Sequence, residues 1–280
     1  MKLFWFETYK TFSRWRTYIG FIAIGVVVVV SEVVMKLSAT EISSRMMKIF
    51  QKDFLISGNV LNGWFVTAFI MNTLHIHIPF LIALVAGDMV SGEATTGTVR
   101  FLLIRPPSRT RILIAKYLTA LFYTAGVVLF FAGVCIVLGL ILFGQGDLVV
   151  HHYGKFGIVL IPEAEIPVRM FLAFCAAFWS MTVVASLAFL FSTLAENSIG
   201  PIIGTMAVVI IFLVFSNLPL DFFRNLSPYL FTHYMGLWQR FFDQPITWKE
   251  IVRSILLLGI HHIFLFSMAL IIYRRKDIKS

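Results

Sequence analysis

The sequence predicts an all-α polytopic membrane protein, and three observations indicate this class. Hydrophobic residues make up 59% of the 280 residues and charged residues only 13%, whereas charged residues reach about a quarter of an ordinary globular domain. Several apolar runs approach or exceed the roughly 20 residues that cross a bilayer. Polar segments with a positive excess separate these runs. We therefore expect residues 1–280 to form a single transmembrane domain.

Residues 1–16 precede the first apolar run and have the pattern of an amphipathic helix. On a helical wheel the aromatic and polar side chains fall on opposite arcs: Phe4, Trp5, Tyr9, Phe12 and Trp15 against Glu7, Lys10, Thr11 and Arg14. The pattern is typical of a helix in the membrane interface, with aromatic residues facing lipid and lysines facing lipid phosphate. The alternative is that these residues are the basic start of the first span.

Six spans are expected, at about 18–35, 64–86, 112–143, 168–191, 199–215 and 251–273. The loop 36–63 is long enough for a short outer helix, and 144–167 is predicted as a loop. The short turn 192–198 makes the fourth and fifth spans antiparallel neighbours. With both termini inside, the inner segments hold 13 Lys and Arg against 5 Asp and Glu, and the outer segments hold 10 against 9. This bias favours cytoplasmic termini.

The segment 87–116 is the longest basic interruption between two apolar runs, so we place it at the cytoplasmic surface. From Glu93 to about Ile104 it can form a short helix, which Pro106 and Pro107 end because proline cannot continue a helix. We interpret the segment as a cytoplasmic docking element and not as a catalytic loop. A plain linker would explain the charge but not the helix followed by two prolines.

The region 216–250 combines prolines with many aromatic residues. A fully solvated loop of this composition is unfavourable. We expect short outer helices that dip into the outer leaflet or pack across the mouth of a transport path. An ordinary aromatic belt is an equal alternative.

The order of residues in 93–116 resembles the segment after the second span of type-2 ABC transporter permeases. The matching positions are Glu93, Gly97-Thr98, Leu102-Leu103, Pro107-Ser108-Arg109 and Lys116. The resemblance implies a six-span half-transporter whose coupling helix rests on a separate ATPase. The implied coupling residues are Glu93, Gly97, Thr98, Arg100, Arg105 and Arg109. The additional Pro106, and a fourth-to-fifth turn whose charged residue is Glu196 and not a base, depart from the family pattern.

No phosphate-binding loop of the form G-x(4)-G-K-[ST] occurs in the sequence, so the chain is not expected to hydrolyse ATP itself. The resemblance places ATP and Mg²⁺ on a cytoplasmic ABC ATPase subunit, with a second permease chain completing a two-plus-two homodimeric complex in a bacterial cell membrane. Its cargo would be a hydrophobic or amphipathic peptide, drug or lipid, exported across that membrane. An ion-coupled secondary carrier is one alternative, although it would need acids within the spans. A non-transporting sensor or immunity protein is another.

Four histidines lie within the predicted spans: His75, His77, His261 and His262. Polar packing between helices is the simplest interpretation, and a role for His75 and His261 in lining a substrate path is the alternative. No metal site is predicted, and Cys135 and Cys175 are expected to be packing residues. Glu32 and Lys36 stand one turn apart, which predicts an ion pair on the helix surface. The formal charge of +9 reflects the membrane boundary, and no nucleic-acid partner is expected.

Overall fold

The computed structural model describes residues 2–50, 60–95, 108–151 and 158–275, and most of these are helical. The α-helices are α1 (Lys2–Phe12), α2 (Trp15–Leu37), α3 (Ala39–Phe50), α4 (Gly63–Leu74), α5 (Ile78–Ala86), α6 (Asp88–Thr95), α7 (Arg109–Phe143), α8 (Ile166–Leu194), α9 (Ile199–Asn217), α10 (Asp221–Leu226) and α11 (Trp248–Arg275). Three segments form 3₁₀ helices: Glu163–Glu165, Ser227–Tyr229 and Phe231–Phe242.

Five of the described helices, α2, α7, α8, α9 and α11, are long and apolar enough to cross a membrane, and α4 with α5–α6 forms a sixth, bent candidate. Such a set of helices is typical of a multi-pass membrane protein. The predicted spans 18–35, 112–143, 168–191, 199–215 and 251–273 each lie within one of the five. The expected outer helix in 36–63 corresponds to α3.

The second span differs from the unbroken helix predicted over 64–86. It breaks between Leu74 and Ile78, and the two halves meet at 55°. Pro79 stands in the first turn of α5, and it explains the break. Proline has no N–H to donate, and its ring clashes with the carbonyl of the residue four positions earlier, which here is His75.

The centre of the bundle is α8, because 72% of the fourth span is buried, against 11% for the sixth span. The first span, α2, contributes only a narrow buried stripe. Beyond Thr17 at its start, the stripe repeats every four residues, as one face of a helix does: Gly20, Ile24, Val28 and Glu32. Most of the other faces of α2 are apolar and exposed, so lipid is their natural surrounding.

Helices α4 and α7 approach most closely where Gly63 meets Gly139. A Cβ added to Gly63 would lie 2.6 Å from both the carbonyl carbon and the carbonyl oxygen of Gly139, so only glycine fits there. One turn later the Thr67 hydroxyl lies 3.2 Å from the Cys135 carbonyl, to which it donates. Asn62 caps the start of α4 by accepting from the amide of Phe65 at 3.0 Å.

The region predicted as the loop 144–167 contains an antiparallel hairpin, which corrects the all-α expectation. Strand β1 (Leu148–His151) pairs with β2 (Ile158–Ile161), with Leu148 opposite Ile161. The two strands are rich in valine and isoleucine, which suit a half-buried pleated surface. Both Leu148 and Ile161 are fully buried.

The region 216–250 folds back onto the bundle through the 3₁₀ helix Phe231–Phe242. Its large side chains turn inward and are buried, as the following residues show: Phe231, Tyr234, Leu237, Trp238, Phe241 and Phe242. The Arg169 guanidinium of α8 holds the end of this 3₁₀ helix by donating to the carbonyls of Phe241 and Asp243 at 3.1 and 3.0 Å. Phe222 and Tyr229 remain exposed. Part of the region therefore packs on α8, and part presents aromatic residues outward.

His233 lies in the same region and contacts the hydroxyl of Ser227 at 2.7 Å. Burial, helped by the positive charges of Arg240 and Arg253, lowers the pKa of His233 below its ordinary value of 6.5. The imidazole is therefore neutral at neutral pH.

The ion pair predicted between Glu32 and Lys36 is absent from the described contacts. The Lys36 ammonium instead donates to the carbonyl of Leu142 and lies 5.3 Å from the ring centroid of Phe143. Glu32 is fully buried, facing the bundle. The prediction was wrong because the α2 stripe turns the carboxyl inward, whereas Lys36 reaches the free carbonyls at the end of α7.

Candidate functional site

The most distinctive polar feature is an ion-pair cluster formed by Glu7, Lys10, Glu93 and Lys116. The Lys116 Nζ lies 2.8 Å from Glu7 Oε2 and also pairs with Glu93. Lys10 makes a second ion pair with Glu93. The cluster joins three elements distant in sequence: α1, α6 and the first turns of α7.

Burial makes the cluster unusual. Lys116 is only 1% exposed, Glu7 2% and Glu93 4%. Among the described contacts two lysines balance two carboxylates, and such charge balance is the condition under which buried ionic groups are tolerated. Thr8 of α1 and Thr119 of α7 add a buried hydroxyl contact of 3.3 Å beside it.

Helix α1 differs from the predicted interfacial helix in what its polar arc contacts. Its polar arc faces the bundle, with Glu7, Thr8 and Thr11 buried, and not lipid phosphate. On its aromatic arc Trp5 and Tyr9 are 59% and 75% exposed, whereas Phe4 and Phe12 contact Phe122 of α7. Partners for the polar arc exist on α6 and α7, so the apolar arc is the one left to the surrounding lipid. The helix ends at Phe12, and Trp15 belongs to α2.

A second set of contacts holds the start of α6. The Arg14 guanidinium pairs with Asp88 at 2.8 Å, and Ser198 donates to the same carboxylate. The Ser192 hydroxyl accepts from the backbone amides of Val90 and Ser91, both at 3.0 Å. A carboxylate in the first turn of a helix is also favoured by the helix dipole. The start of α6 is thus fixed both to the α1–α2 bend and to the end of α8.

The predicted coupling residues are only partly described by the structure. Glu93 lies in α6 with its carboxylate directed inward to Lys10 and Lys116, not outward to a surface. Arg109 begins α7 and is exposed. Gly97, Thr98, Arg100 and Arg105 lie outside the described residues. Sequence reasoning did not identify Lys10 as a partner of Glu93, or Glu7 as the partner of Lys116. Lys116, a lysine inside an apolar run, was the available signal that a buried acid must be near.

A cavity of about 280 Å³ lies beside the cluster, between α1, α2, α5–α6 and the start of α9. Lys10, Arg14 and Arg16 line it together with Asp88 and Glu93, and apolar side chains complete the wall. Side chains of both charges line the cavity, so it can accept an amphipathic group but has no strong preference for one charge.

The histidines separate into different environments. His261 contacts the carbonyls of Leu257 and Tyr229 at 2.8 and 3.1 Å, and so joins α11 to the region 216–250. The His75 ring centroid lies 6.1 Å from that of Trp238, at the break of the second span. No described contact joins His75 to His261, so the described part of the chain does not bring the two predicted path residues together.

His262, which was not chosen as a site residue, belongs to a polar cluster inside the bundle. The Tyr117 hydroxyl lies 2.7 Å from Ser186 Oγ and 3.0 Å from His262 Nε2, and Ser186 Oγ is 3.0 Å from His262 Nδ1. The three residues connect α7, α8 and α11. Among the described residues, no three His, Cys, Asp or Glu side chains are placed to hold a metal ion.

Comparison with known proteins gives a family. YhcI, an uncharacterized protein of Bacillus subtilis strain 168, is 32% identical over 118 residues. The matched stretch covers 41% of this chain and 37% of YhcI. The chain therefore spans little more than a third of the length of that relative. The model of the family described as "Protein of unknown function (DUF2705)" matches residues 25–279. Because this match covers nearly the whole chain, the protein belongs to the DUF2705 family.

Proposed function

We propose that this chain is the membrane-spanning permease subunit of an ATP-driven exporter, working with a separate cytoplasmic ABC ATPase and a second permease chain. The observation that carries the proposal is the buried ion-pair cluster of Glu7, Lys10, Glu93 and Lys116. It fastens both helices that flank the segment 96–107 to the N-terminal helix. That segment contains most of the residues that resemble the coupling motif.

The proposed mechanism is rigid-body transmission. A push on 96–107 from a closing ATPase pair would reach α6 and α7 directly through the backbone. Glu93 and Lys116 would pass it to α1, and Ser192 and Asp88 would pass it to the α8–α9 connection. In this proposal Glu93 holds the coupling segment in position. Arg100, Arg105 and Arg109 are the candidates for direct contact with the ATPase.

The remaining expectations are part of the same proposal. Both termini and 87–116 lie in the cytoplasm, as the excess of lysine and arginine favours. The wide apolar faces of α9 and α11, which are mostly exposed, would contact lipid or the second permease chain. The cargo is a hydrophobic or amphipathic peptide, drug or lipid, because the bundle interior is predominantly apolar.

The test is co-purification of the full-length chain with ABC ATPases of the same cell, followed by measurement of ATP hydrolysis in proteoliposomes. In the double variant Arg100→Glu/Arg105→Glu the permease-dependent ATPase activity should be at least tenfold lower than in the wild type, whereas insertion into the membrane should be normal. Arg224→Glu, a charge reversal at an exposed site of the outer region, is the matched control and should behave like the wild type. Normal ATPase coupling in the double variant would refute the proposed contact.

A proton-coupled carrier is the second candidate function, and the observation that favours it is Glu32, a buried acid within a span. The two candidates differ in their energy source. Transport into vesicles driven by a proton gradient, with no ATPase subunit present, would select the carrier. Transport that requires both the ATPase subunit and ATP would select the exporter.

A further inference from the structure

Glu32 is a buried acid for which the structure provides no partner. It is fully buried, and neither carboxylate oxygen has a hydrogen-bond partner among the described residues. It lies on the buried stripe of α2 in line with Ile24 and Val28. An apolar side chain would complete this stripe, so the carboxyl group is not required for packing.

Few charged or titratable groups face Glu32 from the elements packed against α2. On α7 the buried Cys135 thiol is near enough to interact electrostatically. Helices α4 and α5 carry no charged side chain, and the titratable His75 and His77 lie in the break between them. Helix α3, which follows α2, carries Glu41, Arg45 and Lys48. The polar residues of α1 pack at the opposite end of α2. Lys36 is the nearest cation along the helix, and its ammonium is bonded to the Leu142 carbonyl.

An ionised carboxylate without a hydrogen-bond donor or a counter-ion is strongly disfavoured away from water. A carboxylic acid in the same place carries no charge. We propose that Glu32 is a proton-binding site in the membrane and holds its proton at neutral pH. This inference does not depend on the proposed ATPase coupling, because it rests on contacts at the other end of α2.

The arrangement also defines what release of the proton would do. Lys36 lies one turn after Glu32, which is within reach of an ion pair on a helix. Ionisation of Glu32 attracts the Lys36 ammonium away from the Leu142 carbonyl, and this frees the end of α7 from α2. Proton binding at Glu32 is therefore linked to the contact between the ends of α2 and α7.

Infrared spectroscopy of the full-length protein in lipid nanodiscs tests the proposal, because a protonated carboxyl has a carbonyl stretch that a carboxylate lacks. At neutral pH the wild type should show a protonated-carboxyl band that Glu32→Gln lacks, with an intensity of one carboxyl per chain. Glu163→Gln, which removes an exposed carboxyl group, is the control and should leave the band unchanged. An equal band in the wild type and Glu32→Gln would overturn the assignment.

A second measurement uses the wild type alone, so it does not depend on the folding of a variant. A hydrophobic carbodiimide, which reacts with protonated carboxyl groups, should label Glu32 at neutral pH, and labelling should decline as the pH is raised. Absence of labelling at every pH would contradict the proposal. If Glu32 is ionised in sodium or potassium salt but protonated in choline salt, the site binds a metal cation. That result would also overturn the proposed proton-binding site.

Discussion

Substitution of Lys116 by methionine tests the ion-pair cluster most directly. Lys116 is 1% exposed and is the only cation that the described contacts give to Glu7. Methionine matches the length of the lysine stem but has no charge. In Lys116→Met the Glu7 carboxylate would remain buried without a counter-ion, whereas Glu93 would keep Lys10.

The expected loss follows from the burial of both partners. Breaking a buried ion pair by removing one member costs about 3–5 kcal/mol, and the cluster is too deeply buried for solvent to screen it. Since about 1.4 kcal/mol corresponds to a factor of ten, the unfolding equilibrium constant should rise by at least roughly 100-fold. Adding Glu7→Gln removes the stranded charge, so Lys116→Met/Glu7→Gln should recover most of the loss.

Unfolding by a denaturing detergent in mixed micelles, followed by tryptophan fluorescence, measures these differences. Lys249→Met removes an exposed lysine and is the control, with an expected change within about 0.5 kcal/mol. The reasoning fails if Lys116→Met is as stable as this control. It also fails if Lys116→Met/Glu7→Gln is no more stable than Lys116→Met. The unpaired carboxylate of Glu7 would then not be the cause of the lost stability.

The remaining predictions concern packing, a polar contact and pH. Gly63→Ala should lower the free energy of unfolding by about 1–3 kcal/mol, because the added methyl group would lie 2.6 Å from the α7 backbone. Gly133→Ala is the control and should be neutral in the same unfolding assay, because a methyl group there meets nothing within 4 Å. Tyr117→Phe should cost about 0.6–1.7 kcal/mol, the range for one hydrogen bond inside a membrane bundle, and an unchanged unfolding midpoint would contradict it. His233 has a pKa below 6.5 in the folded state, so the unfolded chain binds more protons and stability falls as the pH drops through 6.5 and below. The protection of the amides of 227–242 against hydrogen exchange, taken relative to their intrinsic exchange rate at each pH, should therefore fall on acidification in the wild type and fall less in His233→Gln.

Hydropathy predicted the membrane-spanning helices well, because burial in lipid depends on the composition of a whole run. The predicted bounds of the third span, 112–143, differ from α7 by three residues at one end only. The predicted second span, 64–86, does not contain the break at His75 to His77, because a run that is apolar throughout passes a hydropathy test whether it is straight or bent. Pro79 is the residue whose chemistry indicates the break.

The orientation of polar faces could not be obtained from the sequence. The wheel of residues 1–16 separated two arcs and assigned the aromatic arc to lipid, but it could not show that the polar arc has partners within the protein. In water the apolar arc turns inward, whereas in lipid the polar arc does so if partners exist, and Lys116 and Thr119 are those partners. For the same reason Glu32 and Lys36 seemed paired by spacing alone. Spacing along one helix does not reveal what a second helix offers.

The pairing of Glu7 with Lys116 has a consequence for biosynthesis. The two residues are 109 positions apart, so the ribosome must complete two spans and begin the third before the first helix can find its counter-ion. Until then the newly made N-terminal helix can keep its acid hydrated only by lying at the membrane surface with its aromatic arc in the lipid. Docking of that helix therefore cannot precede the arrival of the third span in the membrane.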